Sequence, residues 1–294
     1  MAELSHDHHL HHGTSRALKG AAALTIIFAV VEALGGWWTG SLALLSDAGH
    51  MLTDGAALVL GAVAAWMARR PPSERHSYGL GRAEIIAAFV NAGTMLLIIG
   101  VLTYEAIIRL GLPREVDGVA ATVIAFAGLV LNLAVMRRLA PHGHDLNARA
   151  ARLHVVSDML GSVAALASGA VITLTGWTRI DSIASLLICV LIAVSSARLI
   201  RESLHALMEG VPQGLAVGTI GAEMASVAGV VSVHDLHVWM LSGSRTALSA
   251  HIVVRSMAQW EGMRRELQTR LHEKFGIDHV TLQPESGVQP LVRR

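Results

Sequence analysis

The chain has 294 residues, of which 53% are hydrophobic and only 15% charged, with a formal net charge of +1 at pH 7. Together with a positive mean hydropathy, that balance excludes a soluble enzyme built on one core and places the chain among membrane proteins. The basic residues flank apolar stretches and form no patch with interleaved aromatics, which excludes nucleic-acid binding, and the lone cysteine, Cys189, excludes a disulfide framework or a cysteine zinc site within one chain.

In chain order, residues 1–15 form a histidine-rich tail, with His6, His8, His9, His11 and His12 set around Asp7. Such a tract binds metal through interchangeable geometries, which suits capture and delivery; a plain solvated tail is the alternative. Residues 1–13 lack the basic start and short apolar run of a cleavable leader. Six stretches then approach or exceed the length of about 20 apolar residues that a bilayer requires: 17–38, 42–68, 83–108, 116–136, 151–174 and 180–200. They predict an all-α transmembrane domain of six helices over residues 16–201. Arg16, Lys19, Arg69, Arg70, Arg75, Arg82, Arg137, Arg138, Arg149, Arg152, Arg198 and Arg201 fall on one side, against Arg109, Arg114 and Arg179 on the other. The positive-inside rule therefore puts both termini in the cytoplasm of a cell whose inner membrane the chain spans.

Residues 202–294 lack long apolar runs and read as a separate domain, with a helix over 214–227, strands over 230–240 and 246–255, a helix over 259–275 and a short strand over 279–283. Leu248, Ala250, Ile252 and Val254 alternate, so their face is buried and His251 points away from it. Helix, strand, strand, helix, strand predicts an α+β domain of ferredoxin-like type.

Inside the apolar stretches lie two copies of one pattern, His50-x-x-x-Asp54 and His154-x-x-x-Asp158. A four-residue step puts both members of a pair on one helix face. Pooled, they offer two imidazoles and two carboxylates, a donor set that fills the tetrahedral sphere of zinc. An ionisable side chain at the centre of a bilayer costs about 2.5 kcal/mol or more, so four in a matched repeat call for a reason, and a metal ion crossing the membrane is one. Asp47, one turn before His50, has two readings: an acceptor orienting that imidazole, or the cap of the second helix. Glu32 and Asn132 read as interhelical hydrogen-bonding residues, and Cys189 as a small packing residue.

Four segments together carry a family resemblance: SLALLSDAGHMLTD at 41–54, HSYGLGRAE at 76–84, HVVSD at 154–158 and VHDLHVW at 233–239. Over residues 16–285 the chain resembles the cation diffusion facilitator family of zinc transporters. The resemblance implies a six-helix membrane domain with a cytosolic ferredoxin-like domain, a homodimer, and export of divalent metal against entering protons. It makes His50, Asp54, His154 and Asp158 the transport site, and Zn2+ the substrate, with Cd2+ and Co2+ as further candidates. Chemistry points the same way, since imidazole suits zinc while oxygen-only sites suit manganese or magnesium. Zinc also requires neutral imidazoles and ionised carboxylates, so loading the site expels protons and protonating it expels zinc.

The resemblance places further ligands at His76 and at His234, His251 and Glu285, with His237 and His279 as additional candidates. Leu80 and Ser73 stand where relatives carry ligands near His76, which leaves a turn-stabilising role beside Tyr78 and Gly79 as the alternative. Arg82 reads as a dimer-hub charge or as a membrane anchor. The soluble-domain histidines are either zinc ligands, with zinc as a regulatory ion, or solvated surface residues. Two other classes compete with a transporter. An intramembrane zinc hydrolase needs three ligands, an open water position and a general base, and the His-Glu-x-x-His pattern is absent. A membrane zinc sensor without transport leaves the intramembrane pairs unexplained.

Overall fold

A computed structural model describes the backbone of residues 6–139, 146–242 and 245–286, and the side chains of residues 23–137, 155, 156, 158–242 and 245–286. Six long helices come first: α1 (His6–Thr39), α2 (Leu42–Ala68), α3 (Ala83–Gly111), α4 (Gly118–Leu139), α5 (Leu146–Thr175) and α6 (Arg179–Leu207). Five of them contain stretches long and apolar enough to cross a membrane, and α1 adds the shorter apolar stretch Ala23–Thr39. The chain is a multi-pass membrane protein. Large apolar side chains such as Leu97, Val101 and Leu174 are more than two-thirds exposed, as expected where hydrocarbon is the solvent for the outer face. The predicted spans match these helices, except that α1 begins at His6, inside the predicted tail.

The helices and strands fall into two compact units, Met1–Val59 with Asn91–Arg198, and Leu60–Val90 with Leu199–Arg294. In the first, α4 packs on α5 and α1 on α4, and a core of small and medium side chains forms around Ala43, Leu44, Met95, Ile99, Ala125, Ala165, Ile188 and Cys189. Cys189 is a packing residue there, 2% exposed.

The second unit contains α7 (Val217–Ala225), β1 (Val230–Ser242), β2 (Arg245–Val254), α8 (Trp260–Phe275) and β3 (His279–Ser286). The sheet order is β1-β2-β3, with β1 antiparallel and β3 parallel to β2. The parallel pair requires a crossover, which α8 supplies. Leu248, Ala250, Ile252 and Val254 all face the core with Ile220, Met224, Leu267, Leu271 and Ile277. Each fully buried Leu or Ile contributes about 1.5–3 kcal/mol. This is the small α+β domain that the alternation predicts.

The second unit also takes in the α2–α3 connection, which the sequence assigns to the membrane domain. The reason is local contact. A Cβ on Gly81 would meet that of Ser242 at 2.7 Å, and Arg82 Nη2 lies 2.9 Å from Glu209 Oε1.

Candidate metal centre

The N-terminus of α2 is fixed by a residue from another helix. The carboxylate of Asp181, in the first turn of α6, accepts hydrogen bonds from Ser41 Oγ at 2.7 Å and from the backbone amides of Leu42 and Ala43. From that anchored end, Asp47, His50 and Asp54 follow at helical spacing.

His50 sits between two carboxylates. Its Nδ1 lies 3.3 Å from Asp54 Oδ2, and its Nε2 lies 3.8 Å from Asp158 Oδ1 on α5. One ligand atom from each of the three residues falls within 4.8 Å of the others. Zinc bonds of about 2.0–2.2 Å put tetrahedral donors roughly 3.4 Å apart, so small side-chain adjustments would close these three on an ion. The Asp158 side chain is fully buried, while His50 and Asp54 keep some exposure. Two of the donors are carboxyl groups, which when ionised would offset the charge of a divalent ion in a low-dielectric setting. His154 belongs to α5, one turn before Asp158; its side chain lies outside the described residues.

Behind this group runs a polar chain that joins three helices. Asn132 Nδ2 on α4 donates to Ser162 Oγ at 3.3 Å, and Ser162 donates to Asp47 Oδ2 at 3.1 Å. Gly161 makes room for it, because any Cβ there would collide with the Asp47 carboxylate. Asn132 therefore hydrogen-bonds between helices as predicted. Asp47 is not the cap of α2, which starts five residues earlier at Leu42; the hydrogen bond its Oδ2 accepts comes from Ser162. Glu32 is fully buried, and among the described residues its carboxylate has no hydrogen-bond partner, contrary to the interhelical role predicted for it.

A second group lies in the C-terminal domain. Register pairs His234 with His251 across β1 and β2, and places Glu285 of β3 beside Val253 of β2. Glu285 Oε2 lies 2.9 Å from His234 Nε2, and its Oε1 lies 2.6 Å from His251 Nδ1. These hydrogen bonds, the one from His251 foremost, hold the Glu285 carboxyl below the usual range, so it stays ionised and ready to ligate. The three donors fit a zinc ion, whose entry would replace the two hydrogen bonds with metal bonds.

Among the described residues, the other predicted ligands are not members of either group. His237 is exposed and bonded to Asp235, which sits at a β1 irregularity with φ 51°. His279 packs edge-on against Tyr78, with ring centroids 5.7 Å apart. The backbone of His76 exchanges hydrogen bonds with Ser73 and accepts one from Gly79; with His237 it lines a cavity of about 950 Å³. The side chains of His6, His8, His9, His11 and His12 lie outside the described residues. Asp181 was missed by sequence reasoning, because an acidic residue opening a membrane helix reads as a partner for its own helix dipole.

Residues 18–208 match the family model of the cation efflux transmembrane domain, and residues 212–287 that of the cation efflux protein cytoplasmic domain. The chain is 41% identical over 274 residues to the zinc transporter ZitB of Yersinia pestis, covering 92% of this chain and 88% of the relative. It is 40% identical over 286 residues to the metal cation efflux system protein CzcD of Cupriavidus metallidurans, covering 96% and 89%. To the cadmium, cobalt and zinc/H(+)-K(+) antiporter of Bacillus subtilis it is 38% identical over 265 residues, covering 88% and 85%. A solved structure, the metal-bound C-terminal domain of the CzcD transporter, matches at 33% identity and a TM-score of 0.23, covering 24% of this chain and 99% of that one.

Proposed function

The chain belongs to the cation diffusion facilitator family of cation-efflux proteins, and from that premise we propose that it exports cytoplasmic Zn2+ in exchange for protons by alternating access. The ion is carried by His50, Asp54, His154 and Asp158. The observation that carries this reading is His50 held between Asp54 and Asp158 across two membrane helices. Support for the substrate comes from relatives named for zinc, cadmium and cobalt, and for the counter-ion from the one named as an antiporter.

The exchange follows from the ligands. Zinc binds only when the imidazoles are neutral and the carboxylates ionised, so each loading event releases protons and each reprotonation releases zinc. An inward proton gradient then drives metal outward as the helices rock about a fixed site. In this reading the chain is a secondary transporter and not an enzyme. It works as a homodimer in the inner membrane with both termini in the cytoplasm. Residues 1–15 act as the tail, 16–201 as the transport domain and 202–294 as the regulatory domain, where His234, His251 and Glu285 take zinc as a regulatory ion. Asp47, through Ser162, positions α5 beside the site.

The test is zinc uptake into sealed vesicles driven by a proton gradient. Asp54→Ala is expected to abolish uptake while the purified protein keeps its helical content and oligomeric state. Uptake at the wild-type rate would remove Asp54 from the site. A panel of Zn2+, Cd2+, Co2+ and Ni2+ in the same vesicles, read as metal-stimulated proton flux, measures selectivity.

A further inference from the structure

Beyond Ala68, where α2 ends, the chain turns through Arg69 and Arg70, whose amides still bond back to the carbonyls of Ala65 and Met67. Guanidinium groups at a helix C-terminus are common, since they complement its dipole. Here a third arginine joins them from the cytosolic domain. Arg69, Arg70 and Arg245 line one cavity of about 290 Å³ with Ala68, Pro72, Gly81 and Glu84. All three arginines are exposed, and among the described residues that line the cavity Glu84 is the one carboxylate. Three arginines lining so small a space concentrate positive charge there, which an anion would offset, and the planar donor fork of arginine suits phosphate oxygens.

Position selects the source of that phosphate. Arg69 and Arg70 directly follow a 27-residue apolar helix, which puts them at the level of lipid headgroups. The Arg70 guanidinium stacks over the Trp66 ring at 4.1 Å from its centroid, and Trp66 is 59% exposed, as in the aromatic belts that mark a membrane interface. From Trp66 an exposed apolar row, Val63 and Leu60, runs back along α2 and offers a track for acyl chains. Gly81, which lies against Ser242, holds the β1–β2 end beside this helix terminus and so keeps Arg245 with the other two.

We propose that Arg69, Arg70 and Arg245 form a binding site for the phosphodiester headgroup of an anionic phospholipid, with the acyl chains lying along Leu60, Val63 and Trp66. A bound lipid then ties the β1–β2 end of the cytosolic domain to the membrane surface. The site shares no residue with either metal group, and its fate is independent of the transport reading.

The test uses the full-length protein transferred from mixed bilayers of phosphatidylcholine and phosphatidylglycerol, with retained lipids counted by native mass spectrometry. Wild type is expected to retain phosphatidylglycerol in preference to phosphatidylcholine. Arg70→Gln and Arg245→Gln are each expected to weaken that retention about five-fold, the share of one basic residue near an anionic surface. Glu84→Gln, which removes the opposing charge, is expected to strengthen it, a change that misfolding cannot mimic. Millimolar inorganic phosphate is expected to leave retention unchanged. Equal retention of the two lipids, or equal retention by all variants, would overturn the proposal. Displacement by inorganic phosphate would also overturn it, by marking a free-phosphate site.

Discussion

Asp181 has its carboxylate in the middle of four donors, from Ser41 just before α2, from the first turn of α2 and from α5. Besides Ser41 and the amides of Leu42 and Ala43, Ser168 Oγ donates to it at 3.3 Å, and the residue is 2% exposed. The first turn of a helix has amides with no partner inside the helix, and in hydrocarbon no water can serve them. Asp181 meets that need for α2 from α6, 139 residues away. Asp181→Ala leaves buried donors without an acceptor, at about 1–3 kcal/mol for each. The expected result is a clearly lower melting temperature in detergent, together with weaker zinc binding because α2 loses its anchor. An unchanged melting temperature would mean that the α2 terminus finds other acceptors. The contrast with the metal group shows what spacing can reveal. His50 and Asp54 share a helix face because they are four apart, and that much is legible. No local pattern links Asp181 to Leu42, or Ser162 to Asp47, because those contacts depend on which helix lies against which.

At the scale of elements, hydrophobic periodicity is strong where one solvent faces one side. The long apolar runs located the membrane helices, and the alternation through Leu248, Ala250, Ile252 and Val254 located β2 and its buried face. Helix pairing was not legible, since in a membrane it rests on close approach of small residues and not on apolar stripes. At Gly169 on α5 a Cβ would meet Thr122 Oγ1 at 2.5 Å and the Thr122 amide at 2.9 Å, so the α4–α5 pair closes where a side chain is missing. The irregular pairing of β1 around Asp235 was equally hidden.

Helix α8 has a device that sequence does show, Glu261 in its first turn followed by Arg264 and Arg265. Hydrogen bonds from Arg264 first, then Arg265, bring the Glu261 carboxyl down to about 2, against an ordinary glutamate value of about 4.3. A carboxyl lowered on folding stabilises fully above its unfolded value, and that contribution is lost as pH falls toward the folded one. Hydrogen exchange at the start of α8 should therefore accelerate, relative to the rest of the helix, as pH drops from about 4.3 toward 2. Glu261→Gln should exchange faster than wild type at neutral pH and show no such acid step. An acid step in both proteins would assign it to another group.

On the scale of the whole molecule, two groups of histidine and carboxylate side chains that could hold a metal ion occur among the described residues, one in each compact unit. The intramembrane group includes a fully buried carboxylate, and the C-terminal group is about one-third exposed, with the Glu285 carboxyl held below its usual range by two imidazoles. Under the proposed function, a partly exposed group would exchange an ion with solvent more readily, which suits a site that reports metal level, whereas a buried one suits an ion enclosed during transit. If zinc at His234, His251 and Glu285 favours the transporting conformation, linkage requires that losing it weaken the apparent affinity of the carrier for zinc. The double variant His251→Ala with Glu285→Ala is thus expected to keep maximal proton-driven zinc flux and to raise the half-saturating zinc concentration by about five-fold or more, the lower end of usual coupling. Asp158→Asn is expected to abolish flux at every concentration. The two outcomes differ in kind, a shifted curve against a flat one, so a single concentration series in vesicles separates regulation from carriage. A double variant whose curve overlays that of wild type would show that zinc at the C-terminal group has no influence on transport, and would leave the carrier assignment to stand or fall on Asp158 alone.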